Sequence, residues 1–163
     1  MDLNISFEEI EQIQNDWGNS IINIGKIYIG KGDYNTAAKN HVKRFYGYEE
    51  GKVLFKPTLA SLYPFRLTVE SAESYFVGGN PKFPRDSGFA LKPWINVRFE
   101  NAGIIIMKQY AVSMGNYFFR DLDEKEEKVE FSLGFFRSEN GNLKINLHHS
   151  SLPFDPVTVT KQN

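Results

Sequence analysis

The chain has 163 residues, a formal net charge of −1 and no cysteine. That length fits one domain over residues 1–163, able to bury roughly 70% of its unfolded surface without a metal or a disulfide. Disulfides, thiolate nucleophiles and cysteine-ligated zinc are excluded, and with no basic excess nothing calls for a nucleic-acid partner.

The longest apolar run, Ile104 to Met107, is far too short to span a bilayer, so no membrane partner is expected. Met1-Asp2-Leu3-Asn4 has neither a basic nor an apolar leader segment. The expectation is a soluble, cytoplasmic chain as supplied. A periplasmic or plastid protein stripped of its leader would read the same way.

Ser6 followed by Glu9 forms a capping box. Phe7, Ile10, Ile13, Trp17, Ile21, Ile24 and Tyr28 then recur at helical spacing, predicting an amphipathic helix of about six turns. Gly18 and Gly25 lie seven apart on one face, as close packing against a sheet requires. Gly30-Lys31-Gly32 ends this helix, and Asp33 can cap a second one carrying Ala37, Ala38, His41, Phe45 and Tyr48. His41 reads as a satisfied core or helix-edge histidine.

Val53 to Leu59 reads as an edge or bent strand, interrupted by Pro57. Thr68 caps a short helix reaching Tyr75. Gly78 to Pro93 is a long connection with three prolines, a candidate lid or dimer arm. Long strands follow: Ala90 to Asn101, a turn at Asn101-Ala102-Gly103, Ile104 to Arg120, and Val129 to Arg137. Asn140-Gly141 is a strong hairpin signal leading into Leu143 to Ser151. Asp123 to Lys128 is a solvated hairpin tip. Helices first and a meander of antiparallel strands after them imply an α+β fold, with helices on one face of a curved sheet. The high aromatic share, 15%, suits a sheet wrapped around a cavity.

The last strand carries the most suggestive chemistry. Leu143, Ile145 and Leu147 alternate with Asn142, Lys144 and Asn146, the period-two pattern of a half-buried strand. Continued without interruption, the alternation sends His149 and Ser151 inward and His148 and Ser150 outward. Adjacent strand residues face opposite ways, so His148 and His149 cannot share one interior metal. No phosphate loop, nucleophile elbow or paired-carboxylate arrangement is present. What remains is a hydroxyl-rich set: Thr58, Tyr75, His149 and Ser151, which could equally be buried groups bonded to backbone.

Several segments carry a resemblance. Gly32-Asp33-Tyr34, Val53-Leu54-Phe55-Lys56-Pro57-Thr58-Leu59-Ala60 and Ser74-Tyr75-Phe76-Val77-Gly78-Gly79 come first. Pro93-Trp94, Val97-Arg98-Phe99-Glu100-Asn101, Met114 to Phe119 and His148-His149-Ser150-Ser151-Leu152-Pro153 follow in the same order. Together, over about residues 7 to 154, they resemble the iota-class carbonic anhydrases. That class is related to the calcium/calmodulin-kinase association domain within the nuclear transport factor 2-like superfamily.

The resemblance implies a cone-shaped fold, N-terminal helices packed on a highly curved, mostly antiparallel sheet, with a pocket at its open end. It implies a homodimer and reversible hydration of carbon dioxide to bicarbonate. Bacterial and cyanobacterial members look metal-free, whereas a diatom relative is associated with manganese, so no cofactor and no metal are expected here. By motif it places Thr58, Tyr75 and Ser151 in the pocket as catalytic and substrate-binding hydroxyls. His149 joins them by strand parity as a proton acceptor or relay. The alternatives are a non-catalytic oligomerisation module and a small-molecule isomerase or binding protein of the same fold.

Overall fold

A computed structural model describes residues 3–159. Helix α1 (Phe7–Ile29) starts at the capping box: Glu9 N–H donates to Ser6 Oγ at 3.2 Å, and Ser6 N–H donates to Glu9 Oε2 at 2.9 Å. Its apolar stripe is buried from Ile10 to Ile24, whereas Phe7 and Tyr28 at its two ends are exposed. Helix α2 (Tyr34–Phe45) is capped by Asp33, which accepts from Thr36 N–H at 3.0 Å. Strand β1 (Leu54–Lys56) is shorter than expected because Pro57 ends it. Helix α3 (Val69–Val77) is capped by Thr68.

Four long strands then form a meander: β2 (Trp94–Met107), β3 (Tyr110–Asp121), β4 (Glu126–Arg137) and β5 (Leu143–Ser151). A last short helix, α4, covers Pro156–Val159. The five-stranded sheet has the order β1-β5-β4-β3-β2. Strand β1 pairs parallel to β5, and every other pair is antiparallel. The three main helices cover its inner face. Trp17 on α1 sits among Phe76, Phe99, Tyr117, Phe119 and His148 at the centre of the aromatic core. Gly18 lets α1 approach the sheet, since a Cβ there would lie 2.9 Å from Val97 Cβ.

The turn expected at Asn101-Ala102-Gly103 is not a turn. Strand β2 runs through it, and the chain reverses at Lys108-Gln109, with Lys108 at φ 58°. Ala102 is a bulge: Asn101 pairs with Gly115 and Gly103 with Met114. A Cβ on Gly115 would collide with the Glu100 carbonyl, so only glycine lets the bulged strand close in.

A second bulge corrects the reading of β5. Gly134 pairs with Leu147 and Phe135 with Ile145, so Asn146 is an extra residue. A Cβ on Gly134 would lie 2.9 Å from Leu147 Cβ, and here too the strand opposite the bulge carries glycine. The inward positions are therefore Ile145, His148 and Ser150. His149 is exposed and Ser151 is half-buried. Both were expected inside. They instead line a depression on the outer face with Met114, Asn116, Glu130 and Ser132.

The connection from Gly78 to Pro93 does not hang free. Asp86 and Phe89 fasten it to the body. Arg66, 1% exposed, donates to both carboxylate oxygens of Asp86 at 2.6 Å, and Ser74 Oγ donates to Asp86 Oδ2 at 2.6 Å. Phe89 stacks on Tyr75 with ring centres 5.5 Å apart.

Candidate active site

Where β1, β5 and α3 end, a small cavity of about 10 Å³ lies in the inner layer. That is room for about one water molecule, far below the ~300–1,000 Å³ of pockets that take drug-sized ligands. Trp17, Phe55, Phe76 and Phe89 give it apolar walls; Thr58, Tyr75, Tyr117, His148 and Ser150 give it polar groups. The oligomerisation reading expects a pocket filled by large side chains with its hydroxyls bonded to one another; Thr58, Ser150 and Tyr117 are so bonded, and the space left beside them is small.

The five polar groups come from four parts of the chain, His148 and Ser150 both from β5. Thr58 follows the Pro57 stop of β1, and its Oγ1 lies 2.6 Å from Ser150 Oγ on β5. Tyr117 of β3 shares a hydrogen bond with Ser150 Oγ and lies 3.2 Å from His148 Nε2. The other imidazole nitrogen, Nδ1, lies 2.9 Å from Tyr46 Oη just beyond α2. Trp17 Nε1–H donates to that phenol at 3.1 Å. Tyr75 on α3 accepts from Leu59 N–H at 3.3 Å, which seats the segment after Thr58. The His148 ring lies nearly parallel to those of Phe55 and Tyr46, with ring centres 4.9 and 6.0 Å away; those two are 5.2 Å from each other, so the three form a triangle.

Thr58 and Tyr75, expected in the pocket, line it together. Ser151 and His149 do not; Ser150 and His148 occupy the inward positions. The parity argument missed them because it carried one alternation across Asn146. The signal that could have found them is Gly134, a lone glycine in the apolar run of β4, which often marks a bulge. The reading also missed Tyr117, Tyr46 and Trp17. Spacing puts Trp17 on the apolar stripe of α1, Tyr117 enters only within the Met114 to Phe119 segment, Tyr46 is not singled out, and their polar tips meet only in three dimensions.

The electrostatics are those of an uncharged site. Burial pushes the Tyr117 phenol up to about 12, and it raises the Tyr75 and Tyr46 phenols well above the ordinary range. Burial also lowers the His148 imidazole to about 3. Every one of these groups is neutral at pH 7. A cation is seated on the site's backbone: Lys56 Nζ donates to Ser150 O at 3.0 Å. Burial lowers its ammonium too.

His41 is also lowered to about 3 by burial; its Nδ1 lies 2.8 Å from Ser20 Oγ, and its Nε2 has no hydrogen-bond partner. It is a core histidine, but not a fully satisfied one. Two folded-state values near 3 against an unfolded value near 6.5 mean that the unfolded chain binds more protons between those limits. The stability they support is complete above pH 6.5 and is lost as pH falls towards 3. The unfolding free energy should drop by roughly 2 kcal/mol between pH 6 and pH 5, a range in which most carboxylates stay ionised. Urea denaturation at the two pH values measures it, and His41→Leu should remove about half the slope. A midpoint that does not move would mean the two rings are not held neutral.

A wider cleft lies elsewhere, between α1, α2 and the β4–β5 hairpin. Its charges face one another, as in the Arg44–Asp16 pair at 2.8 Å, and no polar groups converge in it on a buried centre. Among the described residues no group of three or more His, Asp or Glu side chains could hold a metal ion, and no helix is long and apolar enough to cross a membrane.

Comparisons with known proteins agree in pointing to one kind of relative. A family model described as metal-independent carbonic anhydrase matches residues 8–152. A metal-independent carbonic anhydrase of Nostoc sp. strain PCC 7120 is 40% identical over 154 residues, covering 93% of this chain and 75% of that protein. The crystal structure of a cyanobacterial iota-carbonic anhydrase complexed with bicarbonate superposes with a TM-score of 0.92 at 38% identity, covering 95% of this chain and 96% of that one. A calcium/calmodulin-dependent protein kinase II association domain from Xanthomonas campestris shares the fold at a TM-score of 0.62 and 18% identity, over 92% and 89% of the two chains. So does a nuclear transport factor 2-like protein from Streptomyces avermitilis, at 0.54 and 11%, over 91% and 96%.

Proposed function

The chain belongs to the metal-independent carbonic anhydrase family, and from that premise we propose that it interconverts carbon dioxide and bicarbonate at the Thr58–Ser150 pocket. The observation that carries this reading is the convergence of five neutral proton-bearing side chains on one small apolar-walled cavity. Carbon dioxide, apolar and linear, suits the faces of Phe55, Phe76 and Phe89. Thr58 and Tyr75 hold the attacking water and then the bicarbonate oxygens as negative charge develops on them, and Ser150 holds the Thr58 hydroxyl in place. In a site that excludes bulk water, fixed dipoles are worth more than in solution and need no reorganisation. Placing water and carbon dioxide in contact removes the entropic part of the barrier.

The proton released on hydration does not rest on His148, because an imidazole lowered to about 3 is too weak a base near neutrality. The ring passes hydrogen-bond polarity between Tyr46 and Tyr117 and leaves the proton to solvent or buffer. The test is stopped-flow carbon dioxide hydration by protein dialysed against a chelator. The expected rate equals that of untreated protein. Activity lost on chelation and restored by zinc or manganese would sink the metal-free reading.

We also propose a homodimer formed through the outer face of the sheet. Ile105 and Met114 are exposed there, at 63% and 61%, beside Val112 across the same two strands. Apolar side chains exposed together on an open sheet face favour a covering partner. Sedimentation should give a dimer at micromolar concentration, and Met114→Lys should shift it to monomer. A monomeric wild-type chain would contradict the proposal.

A further inference from the structure

Trp17 lies outside the pocket chemistry described above, yet its one polar atom bears on every hydrogen in it. An indole N–H can only donate. It donates to Tyr46 Oη at 3.1 Å, and the one other hydrogen-bond partner of that phenol is His148 Nδ1 at 2.9 Å. Tyr46 has a single proton to give. If His148 carried its own proton on Nδ1, two N–H groups would aim at the Tyr46 oxygen. The phenol proton would then be buried without an acceptor, which disfavours that arrangement roughly tenfold or more. The phenol proton therefore goes to Nδ1, and the imidazole proton sits on Nε2.

The remaining directions follow one by one. His148 Nε2–H donates to Tyr117 Oη. Tyr117 then donates to Ser150 Oγ. Ser150 donates to Thr58 Oγ1. Thr58 is left with a hydroxyl proton that this chain of bonds does not use, beside the Tyr75 and Tyr117 hydroxyls at the cavity. With the opposite tautomer all of these bonds reverse, and Thr58 would present a lone pair instead.

We infer that Trp17 is a positioning residue: through Tyr46 it fixes the Nε2–H tautomer of His148 and makes the Thr58 end of the chain a donor to a substrate oxygen. A donor at that end favours an oxygen that gains negative charge, as it does when carbon dioxide becomes bicarbonate. The inference rests on the pocket assigned above, but its primary test does not depend on turnover.

Long-range proton–nitrogen correlation spectra of ¹⁵N-labelled protein at pH 7 distinguish the two neutral tautomers, and loss of one set of signals in His148→Asn assigns the ring. In the wild-type chain His148 should appear as the Nε2–H form. Trp17→Phe keeps an aromatic ring but removes the donor, and a substantial Nδ1–H population should appear with hydration slowed about fivefold. Tyr46→Phe, which cuts the same link while leaving Trp17 in place, should also mix the tautomers. An Nδ1–H ring in the wild-type chain would overturn the inference. So would variants that keep the Nε2–H signature and full activity. A chain with the expected tautomer shift but no carbon dioxide hydration would leave the wiring standing and remove the proposed function instead.

Discussion

Ser150→Ala should lower kcat/KM for carbon dioxide hydration by up to about a hundredfold, while Ser151→Ala, one residue on, leaves it within about twofold. Ser150 is 1% exposed and sits between Tyr117 and Thr58, so alanine removes both the acceptor for one hydroxyl and the donor to the other. Loss of one preorganised donor at a site of developing charge typically costs about 3 kcal/mol of barrier. Some stability is lost too, because the buried Tyr117 hydroxyl is left without its acceptor, at about 1–3 kcal/mol. Thr58→Ala should slow hydration similarly with a smaller effect on folding, since Thr58 is only half-buried. Stopped-flow rates and urea midpoints on the same preparations separate the two effects. If Ser151→Ala is the slow enzyme and Ser150→Ala the normal one, the assignment of faces on β5 is wrong.

Asp86→Ala should lower the unfolding free energy by about 3–5 kcal/mol, because it leaves the Arg66 guanidinium buried and unpaired. The pair is nearly fully desolvated, with side chains 1% and 4% exposed. Arg66 also donates to the carbonyls of Tyr63 and Ser71, and Asp86 accepts from Ser74. One ion pair thereby ties together the segment after Thr58, the helix that carries Tyr75 and the long connection beyond it. Replacing both partners with apolar residues of similar volume, Arg66→Met with Asp86→Leu, should recover most of the lost stability. Denaturant titrations of the single and double variants test this. A single variant as stable as the parent would show that the pair is not desolvated in solution.

The helical half of the molecule was legible in the sequence because its signals are local. Ser6 with Glu9, Asp33 and Thr68 each mark a helix start, and each makes the cap that its position suggests. The strands were legible in number and order but not in phase. The residues Ala102 and Asn146 carry nothing that marks them as extra, and the evidence for each bulge lies in the glycine opposite, on another strand. The segment His148-His149-Ser150-Ser151 sharpens the difficulty, since either phase offers a histidine and a serine two residues apart. The motif alone therefore could not say which pair faces inward. Thr58 and Tyr75 needed no phase argument, and both line the cavity. Tyr46 and Tyr117 came from distant segments with no shared motif, and Arg66 with Asp86 from two irregular connections.

The bulge at Asn146 also divides the strand in a way that matters for counting its residues. Upstream of it, Ile145 packs in the core and Lys144 Nζ donates to the Lys43 and Arg44 carbonyls that end α2. Downstream, His148 and Ser150 keep register with Leu133 and Phe131 regardless of what happens above. An insertion or loss at the bulge renumbers the lower half without turning it over, because cross-strand partners stay on one face. Within this chain the inward residues of the lower half of β5 are therefore found by counting back from Leu152-Pro153, not forward from the Asn140-Gly141 hairpin.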